Sequence, residues 1–410
     1  MTSTQRDLPA LIGLAPLMRK AFAEEDLKPI AAELIERATN NPHDAHAYMD
    51  LATVLLLSGH SETALSTQML ALQMQALYNI DAKRETTIRL LVLMTNGDLM
   101  ANTPVEFLVE DSDIVLTLLY VGEGIPAITE LPEHDVLFVA IGEADDKRDL
   151  LLSLEPIVKD WPRPVLNYPA RIAELGRDRA CALMQSASTI EMPTAVRITR
   201  AQMQALADEQ CTLEELIPAT DFPIIARPLG SHAGNGLRKI VSVDAVADYL
   251  QAVPSEEFYI ARFVDYRSSD GLFRKYRIML IDGQAYISHM GISKHWMIHY
   301  LNAGMTDSAE KRAEEARFMA DFDTDFAQRH AQAFAEIHQR TGLDYVGIDC
   351  GETSDGKLLI FEVDSDMIVH AMDPVDMFPY KQAPMQKLFA AFRALLLKVR
   401  SLDSAASSIE

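Results

Sequence analysis

The spacing of apolar and polar residues changes along this chain, and each change predicts a different kind of structure. Residues 8–86 are rich in Ala, Leu, Met, Glu and Gln, which predicts helices throughout. Asn41 and Pro42 are typical of a helix start, as cap and first-turn residue. The Ser-Gly-His run at 58–60 then separates two apolar stripes at helical spacing. The segment therefore predicts helices that pair with one another.

Apolar runs replace the helical stripes after Thr87. Residues 88–94, 114–120 and 135–141 read as buried strands, and a helix is predicted over 147–158 before a short strand at 164–167. Strands that alternate with helices at this spacing predict a small open parallel sheet over residues 87–185. No GxGxxG follows the first strand, so a Rossmann-type dinucleotide site is not supported.

Residues 186–400 combine hairpins with helices. Strands are predicted at 222–226, 237–241 and 258–264, and a hairpin joins 277–281 to 284–289 through Asp282-Gly283, a strong turn dipeptide. Helices are predicted at 243–250, 309–340 and 385–399, and residues 401–410 read as a frayed tail. The fold class expected is α/β followed by α+β.

Charge and composition narrow the function classes. The 410 residues carry a formal net charge of −23 without a Lys/Arg-dense run, which argues against nucleic-acid binding through a basic surface. Cys181, Cys211 and Cys350 are an odd number without metal-like spacing, so no disulfide framework is expected. No signal peptide is visible in residues 1–19, and no apolar run is long enough to span a bilayer. A cytoplasmic protein without membrane contact is the expectation.

An acidic hairpin is the most informative feature. Two apolar runs within residues 344–370 flank a Ser-Asp-Gly turn; Asp349 ends the first, and Glu362 and Asp364 end the second. Glu362 and Asp364 are two apart and share a strand face, and the hairpin folds Asp349 toward them. Oxygen-only ligands favour a hard cation such as Mg²⁺, which usually also binds substrate phosphate. A solvated strand end that collects acidic residues by chance is the alternative.

A glycine-rich loop is the second chemical element. Residues 223–236 run from a strand into a loop with three glycines, and Arg227 precedes that loop. Such a loop lets backbone N–H groups wrap an anion, although glycine loops between strands are common without any ligand. Phosphate donors here and cation ligands on the hairpin are the parts that phosphoryl transfer requires. We therefore expect the two elements to face each other across one cleft.

With these two motifs in this order, residues 167–400 resemble the ATP-grasp superfamily. The resemblance implies a pre-ATP-grasp α/β domain at 87–185 and an ATP-grasp domain at 186–400, with a small subdomain at about 190–265 and a large one at about 266–400. Residues 1–86 are similar to a degenerate tetratricopeptide repeat, for which simple packing onto the rest of the protein and partner docking are both open.

The resemblance also implies roles for individual residues. Magnesium ligands would be Asp349, Glu362 and Asp364. Residues near the transferred phosphoryl group and the acyl intermediate would be Arg277, Lys294 and Asn302. Nucleotide contacts would come from Arg179, Arg227, Ser231, His232, Gly234, Gly236, Arg262 and Asp265. The chain departs from the family where Arg179 and Arg227 replace Lys and where Asp364 replaces Asn.

The activity implied is ATP- and Mg²⁺-dependent joining of a carboxylate, on a small molecule or peptide, to an amine or thiol through an acyl phosphate. Two alternatives stay open: a nucleotide-sensing scaffold with a weakened site, and phosphotransfer to an acceptor that is not a carboxylate. A protein partner at the N-terminal helices and a homodimer are further expectations, since relatives are often dimers.

Overall fold

The computed structural model describes residues 8–231, 234–299 and 302–406. Its N-terminal segment is helical, and the predicted break at residues 58–60 is confirmed. The third helix is capped by Asp44, whose carboxylate accepts a hydrogen bond of 2.9 Å from the Ala47 N–H. The predicted start at Asn41 and Pro42 was wrong, because the preceding helix ends only at Asn40. The helices are α1 (Leu14–Phe22), α2 (Lys28–Asn40), α3 (Ala45–Leu57) and α4 (Ser61–Met74).

A mostly parallel sheet follows, with strands β1 (Leu77–Ile80), β2 (Ile88–Met94), β3 (Ile114–Tyr120), β4 (Val136–Val139) and β5 (Val165–Leu166). The strand order is β1-β3-β2-β4-β5, and β1 is antiparallel to β3. Residues 77–80 were expected to be helical, so that expectation was wrong at this point. Tyr78 lies fully buried in the strand, which adds an edge to the sheet.

β3 lies on one side of β2, and the chain then crosses to β4 on the other side of β2. The sheet therefore has a switch point between β2 and β4, and a crevice forms outside the carboxyl ends of strands at such a point. The accompanying helices are α5 (Val105–Leu108), α6 (Arg148–Lys159), α7 (Pro169–Ile172) and α8 (Arg177–Met184).

A small antiparallel sheet with its own hydrophobic core forms the next layer, in the order β7-β10-β8-β9. Capping boxes begin two of its helices, one built by Thr199 with Gln202 and one by Thr212 with Glu215. After β6 (Ile190–Glu191), which joins the large sheet, its elements are β7 (Ala195–Thr199), α9 (Arg200–Ala207), α10 (Leu213–Leu216), β8 (Ile224–Pro228), β9 (Arg238–Ile240), α11 (Asp244–Ala252) and β10 (Glu257–Arg262).

The large sheet has the order β12-β11-β13-β14-β6. The predicted hairpin at Asp282-Gly283 is confirmed, and both turn residues have positive φ, 52° and 75°. The helical region expected at 309–340 is divided into separate helices. The elements are β11 (Phe273–Ile281), β12 (Gln284–Ser293), α12 (Ala309–Asp321), α13 (Phe326–Arg329), α14 (Ala331–Thr341), β13 (Tyr345–Glu352), β14 (Leu358–Asp364) and α15 (Gln382–Ala406).

α15 packs against β11, β12 and β4, and so ties the large sheet to the parallel one. The predicted sequence of helical segment, parallel sheet and two largely antiparallel sheets is confirmed. No described helix combines the length and the apolar character that crossing a bilayer requires.

Candidate functional site

A cleft of about 750 Å³ lies where these layers meet. Its lining includes residues 227–231, at the end of β8, and Glu362 and Asp364 of β14. The structure thus brings the glycine loop and the second strand of the acidic hairpin to one cavity. The loops that follow β2 and β4 close its far end, at the switch point of the parallel sheet.

The glycine-loop wall is organised by Arg227. Its Nε donates to the Ser231 Oγ at 3.2 Å and its Nη2 to the Ser231 carbonyl, while that Oγ donates to the Pro228 carbonyl at 2.8 Å. Burial, and then the positive charge of Arg177, lower the pKa of Arg227 to about 10. An anion beside Arg227 would therefore stabilise the charged form of its guanidinium.

Two of the predicted glycines approach other atoms closely. A Cβ added at Gly236 would lie 2.7 Å from the Pro228 ring, and one at Gly234 would lie 2.9 Å from the Met297 Sδ. Both also have positive φ, which side chains rarely adopt. The predicted phosphate contact His232 lies outside the described residues.

Arg177 is the cation that the sequence interpretation missed. It begins α8, lines the cleft, donates to the Phe361 carbonyl at 3.1 Å and forms an ion pair with Glu362. Arg179, the predicted contact, instead donates to the Ala173 carbonyl at 3.0 Å and to the Glu143 Oε1 at 2.5 Å. Residues two apart on a helix point about 200° away from each other, so Arg177 faces β14, while Arg179 faces Glu143, which itself lines the cleft. The role of Arg179 stays a prediction.

Asp349 is almost fully buried, and both of its oxygens are engaged. Its Oδ1 accepts from the Arg277 Nε at 2.8 Å, and its Oδ2 accepts from the Arg277 Nη2 at 2.9 Å. The Lys275 Nζ lies 2.6 Å from the same Oδ2. Burial raises the pKa of Asp349, but the charges of Arg277 and Lys275 outweigh burial and hold this pKa well below its ordinary value. Lys275 was missed, although its spacing of two from Arg277 placed both on one face of β11.

Glu362 pairs with Asp349 across the hairpin, and Asp364 pairs with Gly347. Burial raises the pKa of Glu362, but the charges of Arg177, Arg227 and Lys275 together outweigh burial and leave this pKa below its ordinary value. Burial raises the pKa of Asp364, and the Glu362 charge raises it further. The two carboxylates therefore face the cleft in different electrostatic surroundings.

Asp366 lies buried beside Asp364, to which its backbone N–H donates at 3.3 Å. Burial and the Asp364 charge raise the pKa of Asp366 well above its ordinary value. A Cβ added at Gly142 would overlap the Asp366 carboxylate, so a glycine is needed where β4 meets this strand end. Sequence reasoning did not single out this contact, because it joins residues more than 200 positions apart.

The carboxylates fit a magnesium ion in part. Mg²⁺ is commonly held by one or two carboxylates together with substrate phosphates, and Glu362 and Asp364 could provide such ligands. Asp349 does not fit, because each of its oxygens already accepts from a cationic side chain. Within the described ranges, no group of three or more His, Cys, Asp or Glu side chains is arranged to hold a metal. The magnesium assignment stays a prediction.

The other predicted residues lie away from the cleft lining. Arg262 pairs with Glu191 at 2.5 Å, and Asp265 pairs with Arg267. Lys294 is exposed. The Asn302 Oδ1 accepts from the His299 N–H at 3.0 Å and so closes a turn. The structure does not bring these side chains together with Arg227 and Glu362.

The far end of the cleft is rich in carboxylates, which lie on the loops after β2 and β4. These loops contribute Asp98, Glu143, Asp145, Asp146 and Lys147. Burial raises the pKa of Glu143 to about 7, although the neighbouring Arg179 lowers it in part. The cleft lining therefore carries more acidic than basic side chains, and its two arginines, Arg177 and Arg227, lie beside Glu362 and the glycine loop.

The helical segment contributes to the same wall. Gln68 of α4 donates to the Gly97 carbonyl at 3.2 Å and accepts from the Gly97 N–H at 2.9 Å. Leu65, one turn earlier, lines the cleft itself. The N-terminal helices therefore help to form the wall of the cleft, through α4.

Comparisons with known proteins were made for the whole chain. A tetratricopeptide-repeat family model matches residues 24–103, a range that includes α2 to α4 and continues through β1 and β2. No curated protein matches the chain.

Three of the solved structures that resemble the chain are given with their organisms. A RimK domain ATP-grasp protein from Sphaerobacter thermophilus is 13% identical, with 74% of this chain and 98% of that chain covered and a TM-score of 0.42. The D-alanine-D-alanine ligase from Coxiella burnetii is 9% identical, with 79% and 98% covered and a TM-score of 0.45. D-alanyl-alanine synthetase A from Vibrio cholerae is 14% identical, with 77% and 99% covered and a TM-score of 0.47. These similarities establish no activity for this chain.

Proposed function

We propose that the cleft binds ATP, with its phosphates between Arg177, Arg227 and the glycine loop. The observation that carries this proposal is the convergence of these two guanidiniums with Glu362 and Asp364 on one cavity. Guanidinium groups bind phosphate oxygens through paired, charge-assisted hydrogen bonds. The lowered pKa of Arg227 supports the same placement. Burial and the nearby Arg177 charge destabilise the charged guanidinium, and a bound anion would offset both effects.

Magnesium would be held by Glu362 and Asp364, and when bound it would neutralise charge on the phosphates. Arg177 would then exchange part of its ion pair with Glu362 for phosphate oxygens. Its remaining bond to the Phe361 carbonyl keeps the guanidinium at the cleft wall. The side chain is thus positioned before the nucleotide arrives.

The reaction proposed is ligation of a carboxylate to an amine. A substrate carboxylate oxygen attacks the γ-phosphorus, ADP leaves, and an acyl phosphate forms; the amine then attacks the acyl carbon and releases phosphate. Arg177 and Arg227 would stabilise the negative charge that develops on the transferred group. The carboxylate-rich end of the cleft, with Asp98 and Asp146, favours an amine-bearing acceptor that arrives as a cation.

The test is ADP release by the purified protein across a panel of carboxylates and amines, with hydroxylamine present to trap an acyl phosphate. We expect substrate-dependent ADP and a hydroxamate product. AMP and pyrophosphate would contradict the acyl-phosphate scheme. A phosphorylated product that resists hydroxylamine would indicate transfer to a different acceptor.

A nucleotide-sensing scaffold is the second candidate, and the ion pairs on Asp349 favour it. A carboxylate whose oxygens are held by Arg277 and Lys275 is poorly placed to assist phosphoryl transfer. In that case nucleotide would bind tightly without turnover across the same panel. Robust turnover would exclude the scaffold. A protein partner for α1 to α4, a homodimer and a cytoplasmic location stay predictions.

A further inference from the structure

Asp349, Glu362 and Asp364 lie on adjacent strands, but their surroundings differ. Asp349 is almost completely buried and takes hydrogen bonds or ion pairs from Arg277 and Lys275 on β11. Glu362 has Arg177 on its Oε1 alone, and Asp364 has no ion pair with a basic side chain in the described part of the chain. Only the latter two line the cleft.

Lys275 and Arg277 together supply two positive charges at fixed places beside Asp349. A divalent ion would bring the same charge. A carboxylate has about four lone-pair sites, and the contacts above engage three of them with N–H donors. The remaining site is on Oδ1, but Asp349 lies outside the cleft lining, and a divalent ion there would be repelled by the Lys275 and Arg277 charges beside it.

The strand register places Lys275 and Arg277 beside Asp349. Arg277 is paired with Asp349 across β11 and β13, and Lys275 lies two residues earlier on the same face. His289, opposite Arg277 on β12, is half-buried, and burial together with the Arg277 and Lys381 charges lowers its pKa well below the ordinary value. A neutral His289 adds no further positive charge, so the balance around Asp349 is set by Lys275 and Arg277.

We propose that Lys275 and Arg277 hold Asp349 as a counter-ion, so that nucleotide binds with a single metal ion, held by Glu362 and Asp364. The inference rests on the proposed nucleotide-binding function. Lys275 is then a positioning residue: it fixes Asp349 and adds positive charge beside the phosphate site. Asp349 is a counter-ion, and its exchange for a neutral side chain of the same shape should leave metal binding largely intact.

The experiment counts metal ions on the whole protein. Mn²⁺ is titrated with the non-hydrolysable nucleotide AMP-PNP at saturating protein, and free Mn²⁺ is followed by electron paramagnetic resonance. We expect one bound ion per bound nucleotide. Two ions, or none, would overturn the inference. Failure of AMP-PNP to bind at all would overturn the proposed function, and the two failures are distinguished by measuring bound nucleotide separately.

Variants assign the ion to its ligands. With Asp364→Asn we expect the Mn²⁺ dissociation constant in the presence of AMP-PNP to rise at least about tenfold, the effect of about 1.4 kcal/mol. With Asp349→Asn we expect a change below about threefold (within about 0.7 kcal/mol). A change as large in Asp349→Asn as in Asp364→Asn would contradict the counter-ion role.

Folding of the variants needs a control, because Asp349→Asn leaves two partly buried cations, Lys275 and Arg277, without the carboxylate. The double variant Lys275→Met/Asp349→Asn removes one charge of each sign and keeps the local balance, and it should bind the ion as Asp349→Asn does. Lys387→Met is the matched surface change, since Lys387 is half-exposed and pairs with Asp323 on the outside. The ion count of the unaltered protein decides the inference even if a variant does not fold.

Discussion

Replacing Arg177 with alanine removes the guanidinium that lies between α8 and the carboxylate strand. The proposal places phosphate oxygens where this group now meets Glu362, while its bond to the Phe361 carbonyl is kept. The variant should therefore weaken nucleotide binding and leave the fold intact. One part of the cleft's positive charge is lost, while Arg227 stays in place.

The size of the effect follows from the contacts. A hydrogen bond to a charged group contributes about 1.5–3 kcal/mol, and each 1.4 kcal/mol is about tenfold in affinity. The Arg177 side chain is 25% exposed, so water screens part of its charge and favours the lower half of that range. We expect the dissociation constant of Mg–AMP-PNP to rise about 10- to 30-fold.

The assay is isothermal titration calorimetry with AMP-PNP, together with thermal unfolding by circular dichroism. Arg179→Ala is the informative comparison, because Arg179 faces Glu143 and the Ala173 carbonyl and lies outside the cleft lining. Arg179→Ala should lower the melting temperature, with little change in the dissociation constant of AMP-PNP. Arg163→Ala is a surface control, since Arg163 is half-exposed and pairs with Asp403.

The reasoning is refuted if Arg177→Ala binds AMP-PNP as the unaltered protein does. If Arg179→Ala weakens AMP-PNP binding and Arg177→Ala does not, Arg179 is the phosphate contact and the assignment of Arg177 is wrong. In that case the order of contacts along α8 would follow the family resemblance, and the ion pair between Arg177 and Glu362 would be only structural.

Further predictions concern catalysis, the loop at the switch point and pH. Glu362→Ala should abolish substrate-dependent ADP release with an unchanged melting temperature; residual turnover would contradict its role. Gln68→Ala removes both hydrogen bonds to Gly97, so the free energy of unfolding should fall by about 1–3 kcal/mol. Hydrogen exchange should increase in residues 95–102. Unchanged exchange in these residues would contradict the proposed link between α4 and this loop. Burial raises the pKa of Glu106 from 4.5 to about 7, so the unaltered protein should lose stability relative to Glu106→Gln between about pH 4.5 and pH 7, by at most about 3 kcal/mol. Urea unfolding at pH 5 and pH 8 checks this, and a difference that does not depend on pH would refute it.

Elements with a strong repeating pattern were predictable from the sequence. β2 and β3 are continuous apolar runs, and the Asp282-Gly283 turn has its own backbone preference. β1 was missed because four residues directly after a helix carry no periodicity of their own. It becomes a strand only because β3 offers an edge with which to pair. Tertiary pairing decided this element.

Site residues were predictable where one motif contained them. The glycine loop and the strand that carries Glu362 and Asp364 do reach one cleft. Arg177 could not be separated from Arg179, because the rotation of α8 depends on how the helix packs. Lys275 could have been found from its spacing of two before Arg277. The ion pairs that occupy Asp349 required coordinates, since they join β11 to β13.

A structure of the protein with AMP-PNP and Mg²⁺ would test the central claim most directly. The proposal predicts γ-phosphate oxygens within about 3.2 Å of side-chain nitrogens of both Arg177 and Arg227. Nucleotide bound elsewhere, or with its phosphates turned away from these two arginines, would contradict it.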